Sequence, residues 1–199
     1  PNKYTKLFNN DTIRIAVKLY LENEKEGEEK YGHINTWNVS GVTDMSYMFY
    51  MTRSFNQPLD NWNVSNVTNM QAMFSYVTSF NQPLHTWNVS KVTNMFAMFC
   101  GASSFNQPLH NWNVSNITEI DKMFKYTIIE LMLKKQNLTN ENYFDKKLYH
   151  ELFVWPRKKD YVMFLVNNQY IPFNKHQEKH EYHPLFDNKD MSKYIAIFL

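Results

Sequence analysis

Apolar positions in this chain recur on a long period as well as on short ones. Trp37, Trp62, Trp87 and Trp112 stand 25 residues apart, and the text between them is copied with them. The first copy reads Trp37-Asn38-Val39-Ser40-Gly41-Val42-Thr43-Asp44-Met45, then Met48-Phe49, then Phe55-Asn56-Gln57-Pro58-Leu59. Two more full copies follow, and a fourth keeps Met123-Phe124 before the pattern dissolves. A fixed period of roughly 20–50 residues marks units that cannot bury their apolar face alone and must stack. Within a copy, Leu59, Trp62 and Val64 alternate with polar residues, which predicts a short strand with these three side chains inward. Ser65 or Asn66 then offers an N-cap to a short helical turn carrying Val67, Met70, Met73 and Phe74 on one face. Stacking at ~4.8 Å per copy would set each Trp and each Phe on the next.

The ends read differently. Residues 10–24 predict a capping helix, with Asn10, Asp11 and Thr12 as cap candidates and Ile13, Ala16, Val17, Tyr20 and Leu21 as one apolar stripe. The acidic stretch that follows, from Glu22 to Lys30, reads as a solvated helix end and loop. After Phe124 no copy of the repeat remains. Helices are expected over residues 128–135 and 140–152, with a break at Asn137, and strands over 161–166 and 170–173 around Asn167-Asn168. The expected class is therefore α+β: a short, right-handed, leucine-rich-repeat-like solenoid, an N-terminal capping helix and a small C-terminal α+β module. The corresponding boundaries are 1–36 for the lead-in, 37–125 for three and a half repeats, and 126–199 for the module or extended cap.

The copies Trp-Asn-Val-Ser-x-Val-Thr-x-Met…Met-Phe…Phe-Asn-Gln-Pro-Leu resemble the 25-residue class of BspA-like leucine-rich-repeat surface proteins. The lead-in Ile13-Arg14-x-Ala16-Val17-x-Leu19, then Tyr31-Gly32-His33-Ile34-x-x-Trp37, looks like the one that precedes such repeats in members encoded by large DNA viruses. The resemblance implies no catalytic residues and no cofactor. It implies a non-enzymatic repeat protein for protein–protein contact, a structural or virion-associated component, with capsid or other virion proteins as partners. An adhesin-type surface module binding a host protein or glycan is the alternative.

Composition narrows this picture. The charge is +2, from 21 Lys+Arg against 19 Asp+Glu, and between Trp37 and Trp112 the charged residues are Asp44, Arg53, Asp60 and Lys91 alone. Such a surface offers no counterion-release route to nucleic acid. No apolar run is long enough to span a bilayer. The opening Pro1-Asn2-Lys3-Tyr4 lacks the basic-then-apolar pattern of a secretory signal, so intracellular synthesis is expected, with the virion as destination and the cell surface as the alternative. The 25 Asn sit mostly in the repeat, where amide ladders would satisfy backbone groups at bends.

Candidate chemistry is sparse. His176, His180 and His183 have helical spacing for a metal, but Gln177 stands where a zinc-protease pattern needs Glu, and a solvated loop between Pro172 and Pro184 is favoured. Asp60, His85 and His110 share one repeat column, a line open to a metal or a pH-sensitive contact but lacking any nucleophile. Cys100 shares a column with Tyr50, Ser75 and Lys125, read as semi-exposed and variable. Residues that repeat are those packing needs, and residues that differ carry specificity. On that logic the binding candidates are Tyr47, Gln71, Tyr76, Phe96 and Lys91, with Asp60, His85 and His110. No small-molecule substrate is expected.

Overall fold

The computed structural model describes residues 7–145, all of which fall within one compact unit that begins at Pro1 and ends at Lys146. The readings made for 146–199, including the strands and the His176, His180 and His183 cluster, lie outside the described residues.

Helix α1 spans Asn10–Glu22 and helix α2 spans Glu24–Tyr31. Asn9 caps α1 reciprocally with Thr12: its Oδ1 accepts from the Thr12 N–H at 2.9 Å, while the Thr12 hydroxyl accepts from the Asn9 N–H at 2.9 Å. Ile13, Ala16, Val17 and Tyr20 form the buried stripe, but Leu21, the last member of the expected stripe, is exposed. The acidic stretch read as loop is α2. Asn23 ends α1 and caps α2 through the Glu26 N–H, and Gly27 lets the second helix lie on the first. A Cβ at Gly27 would come 2.8 Å from the Tyr20 Cα, so this glycine sets the close approach. The hairpin closes on Trp37, whose indole is ringed by Phe8, Tyr20 and Tyr31 and donates to the Gly32 carbonyl at 2.9 Å.

The expected α+β, leucine-rich-repeat-like solenoid is overturned. Among the described residues there is no strand and no sheet. The regular elements are α1, α2, a third helix α3 over Ile128–Lys135 and two short 3-10 turns. Parallel pairing survives only as isolated bridges, such as Asp44 with Asn69 and Asn69 with Asn94. Leu59, Trp62 and Val64 do point inward, but a turn bends the chain there, with the Trp62 N–H donating to the Leu59 carbonyl. The expected helical turn is absent too.

The repeat builds coils made of successive β-turns. Tyr47 and Met51 have φ of 58° and 61°, and the equivalent Ala72, Tyr76, Ala97, Gly101, Lys122 and Tyr126 are left-handed as well. A left-handed residue at the third position of a four-residue turn defines a type II bend, which a strand or an α-helix cannot contain. Turns close from Met45 to Met48 and from Phe49 to Thr52. The alternate N–H groups, of Met45, Tyr47, Phe49 and Met51, donate to the carbonyls of Asn69, Gln71, Met73 and Ser75 in the next coil. The same four bonds recur from the second coil to the third and from the third to the fourth. Three of the four left-handed residues in the first two coils are larger than alanine. The twelve inter-coil bonds hold that conformation at about 1–2 kcal/mol per residue of local cost.

The core is two columns of aromatic rings. Phe49, Phe74, Phe99 and Phe124 stack at 5.5–6.0 Å, and the first three also pack on a second column of Phe55, Phe80 and Phe105. Trp62, Trp87 and Trp112 each send the indole N–H to a carbonyl 28 residues back, of Ile34, Leu59 and Leu84. Asparagine does the bending: Asn38, Asn63, Asn88 and Asn113 accept from the N–H two residues on, as do Asn69 and Asn94. Asn56 and Asn81 reach across coils to the N–H groups of Asn81 and Asn106.

Residues after 125 close the stack. Helix α3 matches its expected span, and Asn137, at φ 56°, makes the break. The expected helix from 140 is instead a 3-10 turn, Glu141–Phe144, with Asp145 extended. Phe144 stacks on Trp112 at 6.3 Å, and the buried Tyr143 donates its hydroxyl proton to the Gln107 carbonyl at 3.0 Å.

Candidate functional site

In the first coil the left-handed Tyr47 and Met51 are exposed, and with Tyr50 and Tyr76 they pave one edge of the stack with tyrosine. Tyr47 is 49 % exposed, Tyr50 43 % and Met51 50 %, and Leu21 of α1 is exposed beside them. The rings of Tyr47 and Tyr50 meet edge-on at 5.7 Å, and Tyr50 meets Tyr76 edge-on at 6.4 Å. Tyr76 lies over Gly101, where a Cβ would sit 2.6 Å from its ring. That contact and a φ of 69° are why this left-handed position carries glycine. At the helix end of the edge lies a cavity of about 320 Å³ lined by residues of α1, among them Val17, Lys18, Leu21 and Glu22, and by Tyr47, Met48 and Tyr50.

Arg14 spans from α1 to the first coil, donating to the Ser46 carbonyl at 2.9 Å and to the Asp44 carboxylate at 3.2 Å. Burial acts to raise the Asp44 pKa. Hydrogen bonds from the Ser46 hydroxyl and N–H, with the Arg14 charge, outweigh it and hold the carboxyl below its usual value. Burial first, then the Glu24 carboxylate that accepts its proton at 2.8 Å, pushes the Tyr20 phenol far up. Tyr20 is thus a fixed hydrogen-bond donor.

Of the residues singled out from the sequence, Tyr47, Gln71 and Tyr76 gather on this face. The Gln71 amide donates to the Tyr47 hydroxyl at 2.8 Å. Phe96 is half-buried, with the Lys122 ammonium 5.2 Å from its ring centre, so it is a supported contact and not a bare one. Lys91 is elsewhere, bridging copies through the Asn66 side-chain oxygen at 2.8 Å. Asp60 accepts from the Asn35 amide at 3.0 Å, His85 is exposed and His110 half-buried. Among the described residues no group of three or more His, Cys, Asp or Glu is placed to hold a metal.

The column of Cys100 is not semi-exposed throughout: Cys100 and Ser75 are buried. Burial pushes the Cys100 thiol up despite hydrogen bonding to Ser75 and Tyr76, which makes it a poor nucleophile. Met51 shares with Tyr76 a variable repeat position that the sequence already marks as a candidate; Tyr50 and the α1 wall were missed. The signal was available in the aromatic and apolar residues of two variable columns beside the Met-Phe motif. No helix among the described residues is long and apolar enough to cross a membrane.

Compared with known proteins, residues 19–138 match the family described as "Mycoplasma protein of unknown function, DUF285". That is well over half of the chain, and the chain belongs to this BspA-like repeat family. No curated protein and no solved structure matches it.

Proposed function

We propose that this member of the family is a non-enzymatic repeat protein that makes protein–protein contact through the Tyr47–Tyr50–Tyr76 edge, as a structural or virion-associated component of a large DNA virus. The observation that carries the reading is the concentration of exposed aromatic and apolar side chains on one edge of an otherwise amide-covered surface. Isolated apolar residues are ordinary on a protein surface. A contiguous group rimmed by polar residues is the usual mark of a contact site, and tyrosine is enriched in such sites because it joins a broad apolar ring to a polar tip. The absence of net charge in the repeats fits recognition by shape and hydrogen bonding. The viral assignment rests on the lead-in around Ile13 to Trp37.

The test is affinity capture from the native source with the whole chain as bait, alongside the double variant Tyr47→Ala, Tyr50→Ala. The expected result is a specific protein retained by the wild type and lost with the variant at unchanged thermal stability. Equal retention by both, or a retained ligand that is glycan and not protein, removes the reading.

A further inference from the structure

At every internal junction of the stack, four carbonyls receive N–H groups from the coil before. In the second coil these are Asn69, Gln71, Met73 and Ser75, and in the third they are Asn94, Phe96, Met98 and Cys100. The same positions in the first coil are Asp44, Ser46, Met48 and Tyr50. Among the described residues no coil precedes them, and helix α1 substitutes for it only in part. Arg14 donates to the Ser46 carbonyl. Further along α1 nothing repeats that substitution, and among the described residues the carbonyls of Met48 and Tyr50 receive no donor. Both residues line the 320 Å³ cavity beside Leu21.

We infer that this cavity is a main-chain docking groove for a segment of a protein partner folded in the same run of β-turns, whose alternate N–H groups donate to the Met48 and Tyr50 carbonyls while a side chain between them rests on Leu21 and Tyr50. The inference rests on the proposed contact function and names its mode. Main-chain pairing supplies direction and register, and side-chain contacts at alternate positions supply selectivity, as in strand addition to a sheet edge. The chain's own junctions show what the row accepts, because residues 70–76 donate to the third coil in this pattern. At the opposite end of the stack the exposed row is one of donors, and there α3 supplies an acceptor, the Glu130 carboxylate, to the Tyr126 N–H at 2.7 Å.

The probe is a fluorescein-labelled peptide of the sequence of residues 69–78, titrated with the full chain by fluorescence anisotropy. A second peptide carries N-methyl groups on the Phe74 and Tyr76 nitrogens, which in the register of the chain's own junctions face the Met48 and Tyr50 positions. Saturable binding is expected, with the methylated peptide at least roughly tenfold weaker, the effect of losing two hydrogen bonds. Leu21→Trp, on an exposed position, should block binding at unchanged melting temperature. Equal binding of both peptides, no binding of either, or concentration-dependent self-association of the chain that the peptide competes away would each overturn the inference. Failure of the peptides while capture still depends on Tyr47 and Tyr50 sinks the groove and leaves the contact reading standing. Methylation-sensitive binding with capture unaffected by the tyrosines does the reverse.

Discussion

The two ends of the stack face the same problem and solve it with different chemistry. Among the described residues, no donor coil stands before the first coil and no acceptor coil after the last. At the N-terminal end, polar side chains of a helix mimic the missing backbone. The Asn10 side-chain oxygen accepts from the N–H groups of Thr43 at 2.9 Å and Asp44 at 3.1 Å, and Arg14 serves the Ser46 carbonyl. At the C-terminal end, rings do most of the covering: Phe144 continues the Trp column and Tyr143 packs on Phe124. A single carboxylate, Glu130, takes one N–H. Rings extend the aromatic columns at one end, whereas α1 meets the first coil through side chains and, among the described residues, leaves the Met48 and Tyr50 carbonyls without a donor.

The sharpest way to break the comparison is Phe144→Ala. It should cost about 3–5 kcal/mol, the usual range for removing a buried aromatic ring, and lower the urea midpoint accordingly. If the C-terminal cap were dispensable the midpoint would hardly move. At the other end, Gly27→Ala drives a methyl group into the Tyr20 backbone and should cost about 1–3 kcal/mol by the same measurement. Its effect should appear first as faster amide exchange in α2, since the hairpin must open to relieve the clash. Asn10→Ala leaves the Thr43 and Asp44 N–H groups to water and should cost about 1 kcal/mol.

The smallest expected effect is Asp44→Asn, because Asn69 and Asn94 already occupy this position in later copies. Its folded-state pKa lies below the ordinary value, so its contribution is fully present above pH 3.8 and is lost as pH falls through the lower folded value. Melting temperatures of wild type and variant should differ slightly at neutral pH and converge in acid. A gap that widens in acid would reverse the sign of the Asp44 contribution.

The period, α1 and α3 were legible because each rests on local pattern: copied text, a 3.6-residue stripe, although its cap is Asn9 and not the expected Asn10, Asp11 or Thr12, and a short apolar helix ended by Asn137. The inward set, Leu59, Trp62, Val64, Val67, Met70, Met73 and Phe74, was legible too. How the backbone brings those residues inward was not. Left-handed Tyr47, Met51, Tyr76 and Lys122 contradict their own preferences, and only bonds to a coil 24 residues away impose them. Helix α2 was hidden because Glu24 to Lys30 has no apolar stripe; its one buried residue is Gly27, which reads as a breaker. The docking edge was half legible, since Tyr47 and Tyr76 stand out as variable positions. The unpaired carbonyls of Met48 and Tyr50 leave no trace in side-chain text.

The fixed offset of the inter-coil bonds also acts as a ruler in the gene. Every donor in the row finds its acceptor 24 positions downstream, so excising residues 62–86 would join Asn61 to Trp87 with each bond redrawn. One residue more or fewer would place left-handed bends against the ring columns. Recombination between near-identical copies can therefore lengthen or shorten the array in whole steps, with no compensating substitution and with both caps left as they are.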